Sequence, residues 1–395
     1  MARPASSLSR VAIAGLGITR QARHIDETDN LGIALEAAEL ALADAGLTRD
    51  DIDGISARWH GPGGTTLHPG SADWAGLLGV RVNWIGDSYP FGVPGVLDAA
   101  SAIAAGLCHT VLITGGSAGV RRADAHAGRV AAYTRPGNEF IEPYGSFTAA
   151  QFALVAQRYL HKFPHARSAM AEVSALIRNN GHRNPGAVMA GRGPYTREDI
   201  LAAPTIVEPF TLLELCLANE GGAALVLTTL ERARDCPKPP VVIMGGGMEW
   251  ARQQYVDPPR YEEVWNIGAV AARRAFGMAG ITHQDIDVFE AYDVTSYEVL
   301  RQFEALGFCS EGEGADFARQ TGLGIDGGLP ICTDGGLMSF SHNGWGSPTV
   351  KVLRAAQQVR GECGDLQVPG AQVAACAGAG SGAQYYNLLV LARDR

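Results

Sequence analysis

Two short stretches decide the fold: Gly46-Leu-Thr-Arg-Asp-Asp-Ile-Asp53 and Gly280-Ile-Thr-His-Gln-Asp-Ile-Asp287. Five of their eight positions are identical. Each follows an Ala-rich amphipathic pattern, 31–45 and 261–279, and each pattern follows an apolar run ending in glycine, 11–17 and 241–247. Gly just past a helix adopts the left-handed conformation readily, and Thr after it can cap the next turn. The parallel continues downstream. A small-residue helix pattern at 95–106 leads to a strand at 110–114 and the turn Gly115-Gly116. A second helix pattern at 348–360 leads to a strand at 372–376 and a glycine-rich turn at 378–382. This alternation predicts an α/β chain of βαβ units. The repetition predicts two halves, 1–235 and 236–395, packed about a pseudo-twofold axis with their central helices buried between sheets. Residues 117–235 read as an insertion in the first half. Chance likeness between two Ala-rich helices is the blander account, but helix, turn and strand all recur in order.

Composition narrows the function classes. The chain has 395 residues, 46% apolar and 18% charged, which supplies a core and argues against disorder. It carries 32 basic and 41 acidic residues with no basic run, which argues against nucleic acid and anionic membranes as partners. No apolar stretch reaches the ~18 residues of a membrane span. The first residues lead directly into a strand pattern, so no signal peptide is expected. The seven cysteines are odd in number, scattered and without a C-x-x-C spacing. They fit reduced thiols in a cytoplasm better than disulfides or zinc. His60, His68 and His109 have no metal-ligand spacing, and no metal site is expected. The glycines at 15, 17 and 245–247 form no G-x-G-x-x-G, so a dinucleotide site is rejected.

Chemistry is expected where the two central helices begin, because helix N-termini stabilise anions. The loop before the first is Gly86-Asp-Ser-Tyr-Pro-Phe-Gly92. The loop before the second is Ser339-Phe-Ser-His-Asn-Gly-Trp-Gly-Ser347. Glu290-Ala-Tyr-Asp293 follows the repeated motif, and the Gly378–Gly382 turn could face an oxyanion.

With these residues on the page, the chain resembles the thiolase superfamily, in its sterol-carrier-protein/lipid-transfer-like branch. The resemblance runs through most of the chain. It is carried by Tyr144-Gly-Ser-Phe-Thr-Ala-Ala-Gln151, Asn184-Pro-Gly-Ala187, Glu220-Gly-Gly-Ala-Ala-Leu-Val226, Leu306-Gly-Phe-Cys-Ser-Glu-Gly-Glu-Gly314 and Asp334-Gly-Gly-Leu337 leading to His342. Each is weak alone, and the ordered set is strong. The resemblance implies the thiolase fold, duplicated βαβαβαββ halves in five layers, with acyl-CoA chemistry and a homodimer.

It also implies where the site lies. The nucleophilic Cys position falls at about Tyr89, and no Cys lies in that loop. Gly-His-Pro becomes Ser341-His342-Asn343, with the His kept. The Asn/His position becomes Tyr292, and the second acid/base Cys falls at Cys376. Cys108, at the far end of the first central helix, reads as core. A thiolase needs a thiolate to form its acyl-enzyme, and a Tyr phenol with a pKa of about 10 is a poor substitute. What remains suits a retro-aldol cleavage of a 3-hydroxyacyl-CoA, in which a base takes the β-hydroxyl proton and donors hold the thioester enolate. This resembles the Cys-lacking thiolase-like aldolases of steroid side-chain degradation. Members of that group work with a separate small partner carrying an OB-fold and often a zinc ribbon.

The expected catalytic residues are therefore His342, Tyr292, Tyr89, Cys376 and Asp293, with Asp293 orienting its neighbours. Gly378, Gly380, Ser341 and Asn343 are expected to contact the ligand. A CoA thioester is the substrate, and no cofactor is held permanently. Each residue has a plainer reading. Tyr292 could be a core aromatic, Tyr89 could fill the room left by Cys, Cys376 could pack, and the glycines could serve a tight turn. Two other functions stay open: an acyltransferase using Ser88 or Cys376, and a silent subunit that binds acyl-CoA or scaffolds a partner.

Overall fold

The repeated octapeptide folds the same way twice. Gly46 and Gly280 both end helices in the left-handed region, at φ 64° and 70°. The Thr48 and Thr282 amides then donate to Asp51 and Asp285, both at 2.8 Å. The last aspartate of each copy ties two strands together. Asp53 accepts from the His109 and Thr110 amides, each at 2.8 Å. Asp287 accepts from the Gln372 and Val373 amides, at 2.8 and 2.9 Å. This computed structural model describes residues 6–58, 70–86, 92–119, 148–251, 258–344, 347–380 and 382–394.

Eleven strands are found among the described residues: β1 (Val11–Ile18), β2 (Gly54–Arg58), β3 (Trp84–Ile85), β4 (Thr110–Ser117), β5 (Thr205–Val207), β6 (Phe210–Thr211), β7 (Gly221–Thr229), β8 (Val241–Trp250), β9 (Val288–Glu290), β10 (Val373–Gly380) and β11 (Tyr385–Arg393). Strands β5 and β6 form a small hairpin. The others run in the order β3-β2-β4-β7-β1-β8-β11-β10-β9. That order is a near-palindrome about the β1–β8 contact, where Ala12 faces Val242 and Ile13 faces Val241. The duplication is thus built into the sheet. Strand β7 lies inside the stretch read as an insertion, so the excursion from the first half ends before Gly221.

Three apolar clusters define the layers. Helix α1 (Asn30–Ala45) covers the outer face of the first set of strands through Ala34, Ala37, Ala38 and Ala41. The central helices are α2 (Val93–Ala104) and α7 (Ser347–Arg360). They share one core with strands of both halves, including Val96, Ile113, Leu225, Val352, Ala356 and Leu389. The other outer layer holds α3 (Thr148–Lys162), α4 (Ala166–Arg183), α5 (Ala269–Ala279) and α6 (Ser296–Ala305). Its core contains Tyr159, Ile177, Ala271, Ala275, Tyr297 and Phe303. The result is the five-layer α/β/α/β/α arrangement expected.

Close packing explains the strand glycines. A side chain at Gly15 or Gly17 would meet the Ala41 or Ala37 carbonyl at 2.1 Å, and one at Gly247 would meet the Ala271 carbonyl at 2.2 Å. These glycines let strands touch helices.

The structure departs from the sequence reading in two further places. The helix read at 261–279 is interrupted before Ala269, where Gly268 takes φ 123°. The Glu249 carboxylate caps the restarted helix by accepting from the Gly268 and Val270 amides, at 2.9 and 2.8 Å. The glycine-rich turn is largely strand. Strand β10 runs on to Gly380, with Gly378 opposite Asn387 and Gly380 opposite Tyr385.

Candidate active site

Strand β9 ends at Glu290, and the chain turns beneath α6. There the Gln302 side chain clamps the backbone of Tyr292 from both sides. Its Oε1 accepts from the Tyr292 amide at 2.9 Å, and its Nε2 donates to the Tyr292 carbonyl at 3.1 Å. The same Oε1 accepts from the Tyr386 hydroxyl at 2.7 Å. Tyr292 is therefore rigidly placed, and its side chain is buried.

Asp293 is fully buried and bonds to two parts of the site. Its carboxylate accepts from the Leu337 amide at 2.9 Å and the Met338 amide at 3.1 Å. These amides belong to a π-helical turn, Gly336–Phe340, a form often found at functional sites. A side chain at Gly336 would strike the Asp293 carboxylate at 2.2 Å, and its φ is 57°, so only glycine fits. On its other side Asp293 meets Lys351 Nζ of α7 at 2.7 Å. Lys351 also reaches Cys332 Sγ at 3.2 Å and Glu290 at 3.7 Å. Burial and the Asp334 carboxylate push the Glu290 carboxyl up to about 7, against the opposing pull of Lys351 and Arg354.

The π-helical turn delivers the chain to His342. Segment 215–219 holds it there. The His342 amide donates to Asn219 Oδ1 at 2.5 Å, and His342 Nδ1 lies 3.0 Å from the Leu217 carbonyl. A carbonyl only accepts, so Nδ1 carries the proton, and the Cys216 side chain also bonds the ring. The same segment is laced to the other site pieces. The Cys216 amide donates to the Val294 carbonyl at 3.0 Å, and the Leu217 amide to the Leu337 carbonyl at 2.9 Å. Burial pulls the imidazole pKa down, but the adjoining Cys216 thiol, the Leu217 carbonyl and the Asp293 carboxylate outweigh it. His342 sits above the ordinary imidazole value.

The remaining expected residues sort differently. Ser341 and Asn343 are fully buried and turn inward. Ser341 Oγ donates to Gln21 Oε1 at 2.7 Å, and Asn343 Nδ2 donates to the same atom at 2.8 Å. They position His342, where ligand contact was expected. Cys376 faces the central-helix layer among Val288, Val352 and Leu389, and burial beside Glu290 pushes its thiol well up. Lys351 pulls the other way but does not offset the burial. The buried Cys108 thiol is likewise pushed up to about 12, chiefly by burial. Gly378 and Gly380 have ordinary strand geometry, and the left-handed positions fall at Gly382 and Ala383. Strand β9 pairs with β10 only as far as Cys376. Beyond it, that edge of β10 meets no strand among the described residues. Tyr89, with Ser88, lies outside the described residues. Among those described, no group of three or more His, Cys, Asp or Glu could hold a metal ion.

The sequence reading missed Gln21, Cys216, Asn219, Gln302 and Lys351. Only Lys351 had a local signal. Lys351, Arg354 and Gln358 recur at helical spacing on a helix expected to be buried.

Comparison with known proteins gives the chain a family. Residues 263–393 match a family model described as Thiolase C-terminal domain-like. A steroid side-chain-cleaving aldolase of Thermomonospora curvata is 32% identical, over 84% of this chain and 86% of that protein. A 17-hydroxy-3-oxo-4-pregnene-20-carboxyl-CoA lyase of Mycobacterium tuberculosis is 31% identical, over 84% of this chain and 88% of that protein. The solved structure of an Ltp2–ChsH2(DUF35) aldolase superposes with a TM-score of 0.85 at 27% identity, covering 98% of each chain. The chain belongs to the thiolase superfamily, in its branch of thiolase-like aldolases.

Proposed function

We propose that the chain cleaves the Cα–Cβ bond of a 3-hydroxyacyl-CoA by a retro-aldol step, without an acyl-enzyme, and that the acyl group is bulky, such as a steroid side chain. The observation that carries the reading is the pairing of a missing nucleophile with a retained acid–base histidine. The loop 86–92 has no Cys, while His342 is held through its amide and Nδ1 beside the Tyr292-Asp293 segment. The phenolate form of Tyr292 takes the β-hydroxyl proton and becomes the phenol. The Cα–Cβ bond breaks, its electrons pass into the thioester enolate, and a ketone or aldehyde leaves. His342, more readily protonated than a free imidazole, donates to the enolate oxygen, assisted by amides on the open edge of β10. Cα then takes the Tyr292 proton while the enol oxygen gives its own back to His342, which yields the shorter acyl-CoA and restores both groups.

The substrate class draws support from the two curated relatives, both named for cleavage of steroid or acyl-CoA substrates. The aldolase structure pairs its chain with a DUF35 protein, and we assign this chain a separate OB-fold partner of that kind, together with a homodimeric state. No cofactor is held between turnovers. All seven cysteines are free, which fits a reducing cytoplasm. No helix among the described residues is long and apolar enough to cross a membrane.

The test is Tyr292→Phe and His342→Ala, each assayed with the partner present. Loss of an acid–base group lowers cleavage roughly 10²- to 10⁴-fold. Full activity in both variants would refute the assigned roles.

A further inference from the structure

Asn387 is fully buried, yet neither its Nδ2 nor its Oδ1 has a hydrogen-bond partner among the described residues. Buried carboxamides are almost always satisfied, because leaving one unpaired forfeits its hydration for nothing. The position of Asn387 gives a reason. On β11, Tyr386, Leu388 and Val390 face the outer helical layer, while Leu389 and Leu391 face the two central helices. Strand alternation puts Asn387 on the central side. It lies opposite Gly378, where a side chain would sit 3.7 Å from Asn387 Nδ2. Gly378 thus leaves open ground beside the carboxamide.

The same strands fix its height in the fold. Helix α2 leads back to the start of β4, so α2 begins near the end of β4. Leu97, one turn into α2, packs over Gly246 of β8. Met248, the β8 neighbour of Asn387, packs against the same central layer. Gly344, just before α7, lies against Ser117 at the end of β4. Helix α7 leads back to the start of β10, so Asn387, opposite Gly378 near the end of β10, faces the central layer near the N-terminus of α7. Its neighbour Tyr386 shares Gln302 with the backbone of Tyr292.

We propose that Asn387 is the group that selects a 3-hydroxyacyl thioester. This rests on the reading under Proposed function. A 3-hydroxyacyl thioester offers one acceptor, the thioester oxygen, and one donor, the β-hydroxyl. A carboxamide with both ends unpaired complements them: Nδ2 donates to the thioester oxygen and Oδ1 accepts from the β-hydroxyl. An acyl-CoA without the hydroxyl leaves Oδ1 unsatisfied. A 3-ketoacyl-CoA brings a second acceptor and is disfavoured as well.

The test compares binding of a 3-hydroxyacyl-CoA and the matched acyl-CoA lacking the hydroxyl, by calorimetry, to the chain with its partner. Wild-type protein is expected to prefer the hydroxy ester by roughly 10- to 100-fold. Asn387→Leu, of similar size, is expected to remove that preference while leaving the melting temperature unchanged or raised. Asn387→Ala repeats the measurement should Leu crowd the strand. A lowered melting temperature with the hydroxy preference intact in both variants would mark Asn387 as structural and overturn the proposal. Because the readout is binding, it separates from the aldolase reading. Normal cleavage with an unchanged preference sinks only the role of Asn387. A lost preference in a protein that cleaves nothing sinks only the aldolase.

Discussion

The two halves of the molecule differ most where their scaffolds match best. Aligned on Asp53 and Asp287, the strand that follows reads Gly-Ile-Ser56 in one half and Val-Phe-Glu290 in the other. The anchoring hydrogen bonds are the same. Beneath Ser56 the neighbouring strand residue is Ile113 of the apolar core. Beneath Glu290 lie Lys351, Cys332 and Asp293, a buried charged cluster. The first half has kept the scaffold and a small apolar central helix. The second half has put charge under the site. Buried charge is a poor source of stability but a strong way to hold a geometry. Here it fixes the π-helical turn that presents His342.

That comparison can be broken in three places. Asp293→Ala leaves Lys351 buried without its nearest partner, and is expected to destabilise the fold by about 3–5 kcal/mol in chemical denaturation. Asp53→Ala in the first half, where only backbone amides and the exposed His109 ring lose a partner, is expected to cost about 1–2 kcal/mol. Equal losses would mean the cluster is ordinary packing. A second difference is in pH dependence. The folded value of Glu290 is raised to about 7 from an ordinary 4.5. A raised carboxyl contributes stability that is fully present below about 4.5 and is lost as pH rises through about 7. Glu290→Gln should therefore flatten the fall in stability across that window, by roughly 2–4 kcal/mol. Ser56→Ala should leave the slope untouched. The smallest effect concerns the paired glycines. Gly280→Ala meets open space and pays only for its positive φ, about 1 kcal/mol. Gly46→Ala must also displace the Pro237 ring, 2.8 Å away, and should lower the melting temperature further.

Local chemistry made much of this legible in advance. The octapeptides encode their own turns, so the Gly ends, Thr caps and the strands after them were readable. Asp293 as organiser and His342 in a loop before a helix were readable from motif position. Three things were not. Ser341 and Asn343 bond to Gln21, more than 300 residues away in sequence, and no local pattern reports that. The glycines of β10 read as a turn because glycine has little strand preference, yet pairing with β11 along the whole strand overrides it. Cys376 carries the right motif position, but its side chain points into the apolar layer, and motif position says nothing of that environment.

The most direct test of the central claim is product analysis with intact-protein mass measurement. The chain and its partner would be mixed with a 3-hydroxyacyl-CoA bearing a bulky group at C3, and separately with the 3-ketoacyl-CoA. The account predicts a carbonyl product and a shortened acyl-CoA from the hydroxy ester, with the mass of the chain unchanged. A stable acyl adduct on the chain from the keto ester, with no cleavage of the hydroxy ester, would contradict it.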